Sequence, residues 1–375
     1  MDRPVRIRHR RTWLLYAPFI GLVVLAVLWS AMWFRASNVT QETLQGWFDR
    51  EAKAGRIYSC GSPQIGGFPF RIEVHCAPAA MEWRSTQPTV FAQTAGMLVA
   101  AQVYQPRLLI SEFEGPLTMT DGLGRPTFTA NWKLLQSSVR GAPALPERVS
   151  IVVDQPTFER VTPSGNEKFF EAAHAELHGR IVEGTAAGNP VIDLALRLSD
   201  ATAPTINPLT SKPFNAHITF VLRGLKDFSP KPWPDRFREM HAAGGRIDIS
   251  HARAQQGESI ALATGSLALT DNGHLDGQLL ITVAGLDRLL PALGMDKLVA
   301  PGGKVDRLAS SLDRLSPGLG NIAREHAGAG IAAGIGLLGE QTQLEGRRAV
   351  VLPLRIDSGS MFLGNLPVGT INPLF

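Results

Sequence analysis

The sequence predicts a β-rich α+β protein: a long, curved antiparallel sheet or meander with a few helices, preceded by one N-terminal transmembrane helix. Three observations carry that prediction. Residues 13–34 form an uncharged, apolar run with arginines on one flank. Beyond residue 70, short alternating segments recur between Pro and Gly signals, the rhythm of hairpin-linked strands rather than βαβ units. Asp271-Asn272-Gly273 sits between two such segments as a strong hairpin turn.

The 375 residues suffice for one large domain or two ordinary ones, and a hydrophobic fraction of 44% permits a sizeable core. The formal net charge is +4, and Arg3, Arg6, Arg8, Arg10 and Arg11, less Asp2, account for all of it. The remainder is neutral and offers no footprint for nucleic acid.

At ~1.5 Å per residue, residues 13–34 reach ~33 Å, enough for the ~30 Å hydrocarbon core. Trp13 and Tyr16 stand at one end and Trp29 and Trp33 at the other, as interfacial aromatics do. The arginine bias places residues 1–12 in the cytoplasm as a basic tail and the rest across the membrane. The run exceeds the ~7–15-residue apolar core of a signal peptide, and residues 30–37 offer a poor cleavage site, so the reading is an uncleaved single-pass anchor. Residues 35–55 read as a separate amphipathic connecting helix. Asn38 would cap it, Leu44, Trp47 and Phe48 form its apolar face, and Gly55 stops it.

Residues 56–375 are the strand-rich body. Its first landmark is the stretch between Cys60 and Cys76, the chain's two cysteines. Gly66-Gly67 supplies a turn and Pro69 opens a strand. Phe70, Ile72, Val74 and Cys76 point one way; Arg71, Glu73 and His75 point the other. Beyond the membrane the compartment is oxidising, where such a pair forms a disulfide worth about 3 kcal/mol in the chain-entropy model. A metal or redox pair lacks the close CxxC spacing.

Strands are expected over residues 97–104, 107–113, 117–120, 126–136, 149–153, 169–182 and 191–198. Residues 200–213 read as a linker and a possible sub-boundary, and residues 227–235, with three prolines, as a loop. A second meander follows at residues 246–254, 259–270 and 274–283, with Gly265 marking a bulge. Val305, Leu308, Leu312 and Leu315 fit a helical stripe. Residues 322–338 are rich in Ala and Gly and read as a closely packed helix. Val350, Leu352, Leu354 and Ile356 alternate as a late strand.

Chemical motifs are sparse. Residues 328–333 match G-x-G-x-x-A, but a helical pattern precedes them where a dinucleotide site needs a strand. No cofactor is expected. His174, Glu176 and His178 share one strand face, and two histidines with a carboxylate suit zinc. Arg180 on the same face disfavours a cation, so a solvated polar face is preferred and no metal is assigned. No nucleophile elbow, Walker A loop or HExxH helix is present, so no catalytic residue is named.

The N-terminal anchor, Gly66-Gly67-Phe68-Pro69-Phe70-Arg71 before a strand ending in Cys76, and the Phe-Leu-Gly-x-Leu-Pro-Val-Gly close at residues 362–369 together resemble bacterial domain-of-unknown-function family 2125. The resemblance implies a bacterial inner-membrane protein with its bulk in the periplasm, and no established activity. In architecture alone, the body also resembles AsmA-like envelope proteins, whose long curved sheets hold lipid. The expected role is binding a lipid or other apolar ligand in envelope maintenance. A structural or assembly protein, with partners unnamed, is the alternative. A hydrolytic or metal enzyme using His174 and His178 ranks third.

Overall fold

The computed structural model describes residues 13–84, 89–141, 145–206, 208–229, 231–285, 339–363 and 366–375. The expected basic tail, the helical stripe at residues 305–315, the segment at 322–338 and the motif at 328–333 lie outside them.

Helix α1 (Trp13–Lys53) runs unbroken for 41 residues. The separate connecting helix expected at residues 35–55 is therefore the second half of α1. The physical reason is the absence of Gly or Pro from residues 22–45. The hydroxyls of Thr40 and Thr43 bond back to the carbonyls of Ala36 and Val39 at 2.9 and 2.7 Å, so neither competes for the helix's own amides. Gly55, at φ +78°, ends the helical path, since a left-handed residue closes a helix most cheaply as glycine. By length and composition α1 is able to cross a membrane.

The strands form one antiparallel sheet. It begins with β1 (Arg56–Cys60), β2 (Gln64–Gly66), β3 (Arg71–Cys76) and β4 (Ala79–Trp83), followed by the long pair β5 (Val90–Gln102) and β6 (Gln105–Thr120). β3 and β4 lie end to end along one side of β5, and β6 takes the other side. β7 (Pro126–Asn131) and β8 (Leu134–Arg140) lie end to end along β6. β9 (Arg148–Asp154) and β10 (Thr157–Thr162) extend the two halves, then β11 (Gly165–Glu171) and β12 (His174–Thr185) extend them again.

Each crossing of the sheet is thus a nearly continuous line with an interruption near its middle. Pro78, Pro116 and Pro156 stand at three of these interruptions, where a residue without an amide donor loses no ladder bond. The single strands expected at 126–136 and 169–182 are each two strands, parted at Trp132-Lys133 and Ala172-Ala173. The two expected at 107–113 and 117–120 are one, β6, because the ladder resumes past Pro116.

The meander continues through β13 (Gly188–Ala201), β14 (Phe214–Leu222), β15 (Arg246–Gln256), β16 (Ser259–Leu269) and β17 (Leu275–Ala284). β18 (Glu340–Leu344) leads into β19 (Arg347–Asp357), which pairs with β17. β20 (Ser360–Leu363) shares the far side of β19 with β18, and β21 (Leu366–Thr370) adds to β20. Residues 202–213 join two neighbouring strands of the same sheet, β13 and β14. Gln256 Nε2 holds them at the carbonyls of Leu209 and Lys212, 2.8 and 2.9 Å away.

Asp271-Asn272-Gly273 closes the β16–β17 hairpin, with Gly273 at φ +74°. The bulge, however, is not at Gly265. It lies on β15, between Ile249 and Ala252, facing β16. Gly265 is required for a different reason: at φ +149°, a Cβ there would meet the Gln278 carbonyl oxygen at 2.1 Å. Helix α2 (Trp233–Ala242) starts inside the segment expected as a loop. Pro234 falls in its first turn, where a missing N–H costs nothing. Met240 of α2 buries with Leu225 and Leu269, and Phe237, Leu374 and Phe375 pack around them.

Candidate functional site

Residues directly opposite in an antiparallel ladder share a face, so the register gives the composition of each side of the sheet. On β3 one face carries Ile72, Val74 and Cys76, and their partners on β5 are Ala101, Val99 and Met97. That face continues through Phe113 of β6, Leu135 and Val139 of β8, and Ile151 and Val153 of β9. It then passes through Leu177 and Ile181 of β12, Leu194 and Leu196 of β13, and Ile218 and Phe220 of β14. Ile247 and Ile249 carry it across β15 to Leu267, then Leu279 and Ile281, then Leu352 and Leu354, and finally Leu363 of β20. No charged residue interrupts this row from β3 to β20.

The two ends of the row are buried, at Val74 and Cys76 and at Val283, Leu352 and Ile356. Its middle is half-buried, and Leu177 is 40% exposed. Among the described residues, α2 with Leu374 and Phe375 covers one part of the sheet, near Ile192, Leu222, Ile247 and Leu275.

The opposite face is mixed: Ile260, Ala284 and Ala349 bury as an apolar cluster at one end, and charged pairs mark other strands. Arg180 pairs with Asp193 at 2.7 Å, Arg223 with Asp248 at 3.2 Å and Arg253 with Glu345 at 2.7 Å. His174, Glu176 and His178 lie here and contact one another. His174 Nδ1 bonds Asp154 at 2.6 Å and its Nε2 bonds Glu176 at 2.9 Å; His178 Nε2 bonds the second Glu176 oxygen at 3.1 Å. Hydrogen bonds to Glu176 and Asp154 raise the His174 pKa above its usual value, with slight burial opposing. The bonds from His174 and His178 lower that of Glu176. Each ring nitrogen of His174 faces a carboxylate, and Arg197 lies 3.7 Å from Glu176. The chemistry of this arrangement is that of an ion-pair network. Among the described residues no group of His, Cys, Asp and Glu is arranged to hold a metal ion.

The Gly66–Arg71 segment has a different role from the one its alternation suggested. Cys60 and Cys76 are joined, closing a loop around it. Phe70 does not share the apolar strand face; β3 begins at Arg71, and Phe70 sits in the turn, 62% exposed. Gly67, at φ +95°, makes the turn possible, since a Cβ would meet the Arg71 carbonyl oxygen at 2.7 Å. The turn docks on α1. Trp29 Nε1 donates to the Pro69 carbonyl and Trp33 Nε1 to that of Arg71, both at 2.8 Å. Phe68 meets the Trp33 ring edge-on at 5.4 Å between centroids, and Phe70 approaches Trp29 at 6.1 Å. Trp33 is 5% exposed. The β5–β6 hairpin adjoins the turn, since the Val103 amide donates to the Phe70 carbonyl at 3.0 Å. Tyr104, expected as the last residue of a strand over 97–104, stands instead at the exposed hairpin tip, past the end of β5 at Gln102.

An antiparallel meander joined to a helix able to span a membrane defines the class: a β-rich protein with one N-terminal apolar helix. Residues 33–372 match the family described as an uncharacterized protein conserved in bacteria (DUF2125), and the chain belongs to that family. No curated protein matches it.

Proposed function

We propose that this protein is anchored in a bacterial inner membrane by α1 and holds the acyl chain of a lipid along the apolar face of its sheet. The observation that carries the reading is the uninterrupted uncharged row from β3 to β20, half-exposed in its middle strands. Mid-strand interruptions and the β15 bulge bend strands, which favours a curved, groove-like face. The arginines of residues 1–12 and the Cys60–Cys76 bond support an N-terminus in the cytoplasm and a body in the oxidising periplasm.

Energetics indicate what such a face does. Each methylene taken from water gains about 0.8 kcal/mol, so an acyl chain prefers the face to solvent strongly. Against a bilayer, where the chain is already dry, the same face offers little net gain. It therefore suits lipid handling beside a membrane better than tight storage. A benzophenone amino acid at Leu177 tests this. Irradiation in cells is expected to give lipid adducts at Leu177 and none at His178, its neighbour on the opposite face. Equal yields, or none at Leu177, overturn the reading.

The assembly reading keeps one supporting observation. Among the described residues β21 pairs with β20 alone, which leaves its outer edge free to accept a strand.

A further inference from the structure

We infer that the Gly66–Arg71 turn and the tip of the β5–β6 hairpin form a membrane-seated edge, placed in the interfacial layer of the bilayer that α1 crosses. The inference rests on the membrane-crossing reading of α1 and does not depend on what the apolar face holds. The first observation is depth. Residues 13–34 reach ~33 Å against a hydrocarbon core of ~30 Å, so Trp29 and Trp33 fall at its far boundary. The turn is hydrogen-bonded to both indoles, at Pro69 and Arg71, which fixes it at that level.

The second observation is composition. Phe68, Phe70 and Tyr104, brought together from two separate segments, are 53%, 62% and 71% exposed, an aromatic patch at one end of the strands. Aromatic rings of this kind gather at the headgroup boundary, where an apolar body and a polar tip are both satisfied. The patch faces the same level as the indoles, so its partner is the lipid surface rather than solvent. The edge would orient the sheet against the bilayer and set the start of the apolar row, at Ile72 and Ala101, directly beside lipid.

The test uses the unaltered full chain in phospholipid nanodiscs containing a phospholipid with a diazirine near the carbonyl end of its acyl chain. After irradiation, adducts are mapped by mass spectrometry. Labelling of residues 66–71 and 103–105 is expected several-fold above the turn at Leu123, an apolar residue 77% exposed at the opposite end of β6. Labelling of α1 with the turn no higher than Leu123 overturns the inference and leaves the anchor standing. Absence of label from residues 13–28 overturns both.

Discussion

His174 is held between two carboxylates. Bonded to Glu176 and Asp154, its pKa is raised. A raised histidine stabilises the fold fully below its unfolded pKa, and the contribution is lost as pH rises through the folded value. Stability should therefore fall as pH rises from about 6.5. Glu176 works in the other direction. Its lowered pKa adds stability above the ordinary carboxylate range, lost as pH falls through the lowered value. A His174→Gln variant should lose the first component and weaken the second, because the His174 bond is the largest cause of the Glu176 shift, an effect on the order of 0.5–1 kcal/mol for a partly exposed pair. Thermal melts at pH 6 and pH 8 check it, and an unchanged pH difference would refute the pairing. At Cys60, replacement by Ser should cost about 2–4 kcal/mol, because the unfolded chain gains the freedom of a 16-residue loop. A lowered melting temperature under non-reducing conditions, absent under reducing ones, is the expected signature.

At the scale of elements, α2 is the part that the sequence hid. Its prolines read as a loop, yet Trp233 and Phe237 stack at a spacing of one turn and Met240 follows on the same side. Counting that apolar spacing would have found the helix. Met240 is 2% exposed, and Met240→Ala should destabilise by about 2–5 kcal/mol, the range for emptying a buried site. Hydrogen exchange should then rise across Trp233–Ala242 and across the last residues, whose amide at Leu374 bonds Gly273. The β16–β17 pair makes a second prediction. Gly265→Ala places a Cβ against the Gln278 carbonyl, and strand separation is the expected relief. A loss of about 2 kcal/mol or more, read by chemical denaturation, fits a strained backbone site.

For the whole molecule, the decisive property is that the apolar row lines a sheet and is left half-exposed in its middle. A filled core rejects charge strongly, whereas an open face tolerates it. Leu177→Glu should thus leave the melting temperature within a few degrees of wild type while removing lipid adducts from neighbouring face positions. A large drop in stability would mean that the face is packed.

Much of this architecture was legible locally. Alternation located β3, β17 and β19, because side chains point to opposite faces every second residue whatever the partner strand. The Asp271-Asn272-Gly273 turn was legible because only certain residues take positive φ cheaply. Uncharged length marked the apolar part of α1, which is able to cross a membrane, but not its continuation to Lys53, since Asn38 carries a capping pattern in local sequence.

The apolar helix, the strand-rich body and the family motif each depend on residues close along the chain and were readable there. Tertiary structure decided which strands are neighbours. Val283 of β17 meets Val350 of β19 across a long separation, and the apolar row is continuous only through such pairings. It also decided that the Gly66–Arg71 turn rests on Trp29 and Trp33. Hydrogen bonds between distant segments set register and docking, and no local pattern of side chains specifies their partners.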